Sequence, residues 1–409
     1  MSTGQNARSL NLSRNINGLM APAQSAMRKE AMKRRAAGED VLDLALDEPR
    51  MHTSRILVEA AQRSMQQSNA VASSDAGLLE LRVAIARHLS LLSGGRPVNA
   101  DNIVVSNGAR QALFGACFSL FDSSDEVLVP APTWDSITQT VRLSRAKPVL
   151  ISGDVEWSLK VGVDQLNRAA TPDTAGIVLC SPVNPTGAVY TKAELKAIVE
   201  WAVERGCWVV ADEVCRRIHF GSDAAPSVLD LADELLGRVV VVGGPSKTYA
   251  LRGWRLGYSL ASSSVARSMA TLQSHVTGGA AVPAQRACVA AYSDERVESH
   301  LKRRVEEIRN RRDLTVAHFR EHMPGVEFVD PLGGIHLLFR VDGCFEFGVD
   351  SAKRFCERLL GEKGVLLLPA DDFGASGWVR LTYAVPEREL SSALDRICEL
   401  NPAASGETN

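Results

Sequence analysis

The 409-residue chain is 45% apolar and 23% charged, the balance of an ordinary soluble globular protein with room for one large core or for two to three domains. Its formal net charge of −2 leaves no whole-chain footprint for nucleic acid or an anionic membrane, and no apolar run approaches the ~20 residues that span a bilayer. The eight cysteines form no CxxC pair and no His/Cys cluster at zinc-finger spacing, so no metal centre is expected, and thiols in a reducing, cytoplasmic compartment are the default.

The opening stretch MSTGQNARSLNLSRN has no acid and contains Ser and Arg. That composition is loosely compatible with an organellar transit peptide, and a short polar arm over residues 1–16 is the plainer reading. From about Asn102, short β-rich runs alternate with segments of helical period. NIVVS reads as a strand and ARQALFGACFSLF as a helix. DEVLVP, KPVLIS, GIVLCSP, CWVVADE and RVVVVGG read as further strands; WDSITQTVRLSR and KAELKAIVEWAVERG read as helices, the latter stopped by Gly206. This alternation predicts an α/β fold, a mainly parallel sheet flanked by helices, with ligands beyond the carboxyl ends of its strands.

After Tyr292 the texture changes. The segment DERVESHLKRRVEEIRNRRDLTVAHFREH predicts a long, charged connecting helix. GVEFVD, IHLLFRV, SAKRFCERLLGEKG, VLLLP, WVRLTYA and ERELSSALDRICEL then compose a smaller α+β unit, and NPAASGETN reads as a tail. No internal repeat is present.

The strand ends carry the residues of interest. GGPSKTYALRGWRLGY follows an apolar strand and holds Lys247 and Arg255. A phosphate-binding P-loop needs Gly before its Lys, and Ser246 stands there instead. An isolated Lys is ordinarily a solvated surface group. At a strand end in a cleft, however, desolvation and nearby cations can make it an imine-forming amine. Asp212 ends another apolar strand, where a carboxylate needs a cation or solvent; a helix cap or surface acid is the plain alternative. In CSPVNPTGAVY, Asn184 precedes Pro185, which predicts a turn, and the Asn184–Pro185 bond is a candidate cis peptide. Gly108 stands between strand and helix, so the first amides of that helix, at Ala109 and Arg110, form a ready anion site. Trp134 follows a strand, where a Trp is usually core packing but can also stack on a flat ligand. Arg380, within a strand, needs a carboxylate or solvent, and its fork suits a ligand carboxylate.

Taken together, SPVNPTG, ADE and SKTYALRGWRLGY in this order resemble the fold-type I pyridoxal phosphate enzymes, specifically the class I/II aminotransferases of aspartate-aminotransferase type, from about Asn17 to Leu400. The resemblance implies a large cofactor-binding domain over residues 56–300 and a small domain from residues 17–55 plus 301–409. It implies that Lys247 holds pyridoxal 5'-phosphate as a Schiff base and moves the Cα proton, and that Asp212 faces the pyridinium nitrogen. Asn184 would bind the ring's phenolic oxygen and Trp134 would stack on the ring. Ala109, Arg110, Ser246 and Arg255 would hold the phosphate, with Arg380, Asn184 and Trp134 lining the substrate side. Small-molecule amino and 2-oxo acids, and a homodimer, are the partners it implies, without nucleic acid or membrane. His275–Gly279 would approach the partner's site.

Several family positions differ. A cofactor-facing Tyr is Cys215, a weaker donor; a phosphate-reaching Tyr is Ala72; the Ser three before the lysine is Gly244. The GEPD loop is Asp47 to Arg50, DEPR, and the small-domain GAFY begins Gly334-Ile335-His336. An aminotransferase is the leading expectation. A β- or γ-elimination, replacement or cyclisation enzyme on the same fold is the alternative, because all these reactions begin with the same Cα carbanion. A regulator built on this domain is disfavoured, since a pattern starting by Asn17 leaves no room for a DNA-binding module.

Overall fold

Seven strands form the sheet that carries the candidate residues. The structure, a computed structural model, describes Leu19 and residues 24–67, 73–221, 224–344 and 350–400. The predicted arm, the tail from 401 and Ala72 lie outside the described residues. In chain order the strands are β1 (Leu42–Asp43), β2 (Ile103–Ser106), β3 (Glu126–Ala131), β4 (Lys147–Ser152), β5 (Thr174–Cys180), β6 (Trp208–Asp212), β7 (Val239–Gly243) and β8 (Gly257–Leu260). The small unit contributes β9 (Phe328–Val329), β10 (His336–Arg340), β11 (Val365–Leu366), β12 (Leu368–Pro369) and β13 (Trp378–Thr382).

The large sheet has the order β2-β8-β7-β6-β5-β3-β4, parallel throughout except for β8. Its apolar runs follow from burial on both faces. Alternation sends Ile103, Val105, Ile177, Leu179, Val209 and Val241 into one core. Their neighbours Val104, Val178, Val210, Val240 and Val242 enter another on the opposite face. One flanking helix keeps its predicted stop and adds a cap at its start. The helix Lys192–Glu204 begins with a reciprocal pair: Thr191 Oγ1 accepts the Glu194 amide (3.2 Å) and Glu194 Oε2 accepts the Thr191 amide (2.7 Å). It ends before Gly206, at φ 69°.

The small unit is a four-stranded antiparallel sheet, β12-β13-β10-β9, with β1 paired in parallel to β11. The small unit has its own core, which joins Met27, Ala31, Val41, Leu42, Leu44 and Ala45 with residues between Ile308 and Ile397. The long helix Glu295–His322 connects the two parts; it is less solvated than its charge suggests, because Val297, Leu301, Ile308, Val316 and Phe319 are buried.

Two expectations need correction. The Asn184–Pro185 bond is not cis; the cis bonds lie at Ala131–Pro132 and Ser181–Pro182. VLLLP is not one strand but two short ones, β11 and β12, which pair into different sheets. An unbroken apolar run carries no periodicity from which such a break could be read.

Candidate active site

Strand register gathers the predicted residues along one edge of the large sheet. Cys180 pairs with Asp212, Asp212 with Val242, Gly243 with Tyr258 and Ser106 with Gly257. The segments that follow Ser106, Ala131, Cys180, Asp212 and Gly243, and the one that precedes Gly257, therefore all leave the sheet at the same rim. They carry Gly108, Trp134, Asn184, Cys215, Lys247 and Arg255.

At one end of the rim, Gly108 (φ 90°) turns the chain into the helix Ala109–Leu120. The Gln111 and Ala112 amides donate to the Gly108 carbonyl. Those of Ala109 and Arg110 head the helix with no acceptor among the described residues. The Arg255 guanidinium lies against the same glycine: a Cβ on Gly108 would stand 2.5 Å from Nη2. Arg255 is exposed, with φ 52°, and donates to the Arg252 carbonyl at 3.4 Å. Gly257 is equally tight, since a Cβ there would be 2.1 Å from the Ala109 nitrogen. Ser246 and Lys247 lie in the single turn Pro245–Thr248 that follows β7, both half-buried. Gly244 brings this turn alongside Ala109, whose Cβ is 3.6 Å from where a Gly244 side chain would begin.

In the middle of the rim, the acidic pair splits. Glu213 turns into the scaffold and accepts the Ser227 hydroxyl and the Val228 amide (3.0 Å). Asp212 stays at the rim, almost fully buried and without an ion pair among the described residues. Burial raises its carboxyl to about 6, against the opposing pull of the Val214 amide and of Lys247. The Cys215 thiol is pushed up to about 11, again mainly by burial, and so remains S–H at neutral pH.

The substrate side is built from both units. Arg380 on β13 is fully buried. Its Nη1 donates to Asn184 Oδ1 at 2.9 Å and sits 2.7 Å from Asp47 Oδ1, while Nη2 donates to the Ala45 carbonyl at 3.3 Å. The DEPR loop thus enters the site with both acids, as Glu48 pairs with Arg252 at 2.9 Å. His336 Nε2 donates to the Leu46 carbonyl at 3.0 Å. Burial, reinforced by nearby Arg380, holds this ring neutral, well below the usual imidazole range. Trp134 presents its ring to the Arg110 guanidinium at 4.7 Å. The neighbouring acid, Asp135, is half-buried, and burial raises its carboxyl, with Asp47 adding to the rise and Arg380 opposing it. His275–Gly278 is exposed and Gly279 half-buried, with Asn107 Nδ2 donating to the Gly279 carbonyl at 3.1 Å.

Every predicted site residue thus lies at this rim or beside it. Sequence reasoning missed three acids' roles: Asp47 on Arg380, Glu48 on Arg252, and Asp135 next to Trp134. The altered DEPR loop was the available signal for the first two, and for the third it was an acid directly after Trp134, at the start of the helix Asp135–Leu143.

Residues 39–397 match the profile described as "Aminotransferase class I and II". The aspartate aminotransferase of Bacillus subtilis (strain 168) is 32% identical over 393 residues, covering 95% of this chain and 98% of that protein. The asparagine–oxo-acid transaminase of Streptococcus mutans is 31% identical, covering 94% and 98%. The structure of aspartate aminotransferase from Thermus thermophilus with maleate superimposes with a TM-score of 0.89 at 31% identity, over 95% of this chain and 99% of that one.

Proposed function

Because this chain belongs to the class I and II aminotransferases, enzymes that use pyridoxal phosphate, we propose that it moves the α-amino group of an amino acid to a 2-oxo acid, with Lys247 as the proton carrier. The observation that supports this most is the convergence at one rim of an amine (Lys247), a buried carboxylate (Asp212), an anion cup and a buried guanidinium (Arg380).

The donor set matches the cofactor's chemistry. Gly108 and Gly257 let the Arg255 guanidinium and the Ala109 amide draw together, since a Cβ at either position would collide with them. The Ala109 and Arg110 amides and the Arg255 guanidinium are suited to a phosphate, with Ser246 beside them. Asp212, buried without an ion pair, suits a protonated ring nitrogen, and Asn184 offers an amide to the ring's oxygen. Trp134 would cover the ring face, and Cys215 would offer a thiol where a stronger donor is usual. When bound, the cofactor supplies a carbonyl carbon for the amino group and a ring that accepts electron density from the Cα–H bond.

Each residue's work then follows from its place. Asp212 would place its negative charge against a protonated ring nitrogen and so favour that proton's staying there. Lys247 Nζ removes the Cα proton as general base and returns it as general acid. Arg380 binds the α-carboxylate and so aligns the Cα–H bond with Nζ. The substrate is a small molecule held between the large unit (residues 56–300) and the small unit (residues 17–55 plus 301–409), in a cytoplasmic homodimer.

The test is a half-reaction. Loaded protein is mixed with single amino acids, without an oxo acid; aspartate and asparagine, named for the relatives, are tried among them. One equivalent of oxo acid per site, and none from Lys247→Ala, is expected. Continued turnover with release of ammonia would instead establish elimination.

A further inference from the structure

The guanidinium assigned to the substrate's carboxylate is already occupied by one of the chain's own. Asp47 Oδ1 lies 2.7 Å from Arg380 Nη1, and Arg380 itself is fully buried. This is no accident of a loose loop. The Leu46 carbonyl before Asp47 is held by His336 (3.0 Å), and the Ala45 carbonyl by Arg28 (2.8 Å) and by Arg380. Beyond it, the Arg50 amide donates to the Ala384 carbonyl at 2.8 Å. The carboxylate is delivered to the guanidinium by a strap pinned on both sides.

An incoming carboxylate must therefore displace another carboxylate, and charge decides which substrates can do so. Removing one partner from a buried ion pair is costly because the other charge is left uncompensated. Once Arg380 turns to the substrate, Asp47 is such a charge. It cannot relax toward Asp135, whose carboxyl shares the same recess, since like charges repel. A donor with an anionic side chain adds a further negative charge beside Asp47 and Asp135, where Arg110 is the cation left to oppose three carboxylates. A donor with a cationic side chain brings Asp47 and Asp135 a new partner as its carboxylate takes the old one, so Arg380 and Asp47 both stay paired.

We propose that Asp47 is the specificity residue of this site: it yields Arg380 to the substrate's α-carboxylate and takes the substrate's ammonium or guanidinium side chain in exchange. The donor class is thus the basic amino acids. This rests on the aminotransferase reading only for the identity of the reaction; the exchange itself is a property of binding and is measured without turnover.

The experiment uses loaded protein and two ligands that lack an α-amino group and cannot react, 5-guanidinopentanoate and glutarate, with calorimetric titration of each. The guanidino acid is expected to bind at least ~10-fold more tightly, the scale on which charge pairs discriminate. Asp47→Asn keeps the side chain's shape and removes its charge. It is expected to narrow that ratio by ~10-fold, chiefly by improving glutarate, and Asp135→Asn is expected to narrow it less. A melt of each variant confirms that it is folded. Glutarate binding as well as or better than the guanidino acid in the wild type overturns the proposal. So does a ratio that survives both substitutions, and so does binding of neither ligand. The half-reaction with single amino acids reports separately: no oxo acid from any donor would defeat the aminotransferase reading, whatever the titrations show.

Discussion

Asp212 is a carboxylate placed where the protein alone does not satisfy it. Its ordinary value is 3.8, and burial raises this to about 6 in the folded chain. The folded state therefore binds a proton more readily than the unfolded one between those values. Protonated, below about pH 4, the group has no effect on stability; ionised, above about pH 6, it is a burden of the order of 3 kcal/mol. Without cofactor, Asp212→Asn should raise the melting temperature at pH 7.5, roughly 2–6 °C by the usual scaling for a chain of this size or smaller, and should leave it unchanged near pH 4. In loaded protein the sign should reverse, because a protonated ring nitrogen gives the carboxylate its missing partner; thermal melts at both pH values, with and without cofactor, check this. The residue could be singled out from sequence because a carboxylate after four apolar strand residues needs an explanation. Asp47 could not be read in the same way. The altered DEPR loop drew attention to it, but nothing local names its partner, since Arg380 lies at the far end of the chain.

At the scale of elements, the central parallel strands were legible because burial on both faces leaves long apolar runs in them, as in VVVV of β7. β8 was not, although GWRLGY drew attention for its charges. Its four residues include Gly257 and Ser259, and it runs antiparallel among parallel neighbours, held by β2 and β7 rather than by its own propensity. Its first residue nonetheless sets the geometry of the anion cup. With a Cβ at Gly257 only 2.1 Å from the Ala109 nitrogen and 2.4 Å from the Gly108 carbonyl carbon, Gly257→Ala must push the helix N-terminus away from the strand. The expected result is a loss of ~1–3 kcal/mol in stability together with weaker cofactor retention on dialysis. Gly237→Ala, where nothing lies within 4 Å, serves as the control and should retain cofactor normally.

Over the whole molecule, the division into a large and a small unit was visible as a change of texture after Tyr292, but the texture gave no hint that the N-terminal segment joins the small unit's core. That assignment came from the family resemblance, and Leu42 paired with Val365 is its structural counterpart. A two-residue strand has too little pattern to be recognised alone. The site is completed only where the units meet: Lys247, Asp212 and Asn184 come from one, Arg380 and the strap 45–50 from the other, and the Arg380–Asn184 bond crosses between them.

That crossing bond gives the strap a mechanical role. Arg380 is a clasp that fastens three things at once: the loop through Asp47, the chain before it through the Ala45 carbonyl, and the opposite unit through Asn184. A ligand that takes hold of the clasp tightens the grip between the units and lets the loop slip. The two effects have opposite signature in amide exchange. On addition of 5-guanidinopentanoate, the amides around Asn184 should exchange more slowly, while those of residues 46–50 should exchange faster even as the protein as a whole becomes harder to melt. A molecule that is stiffened everywhere by its ligand would have no such clasp.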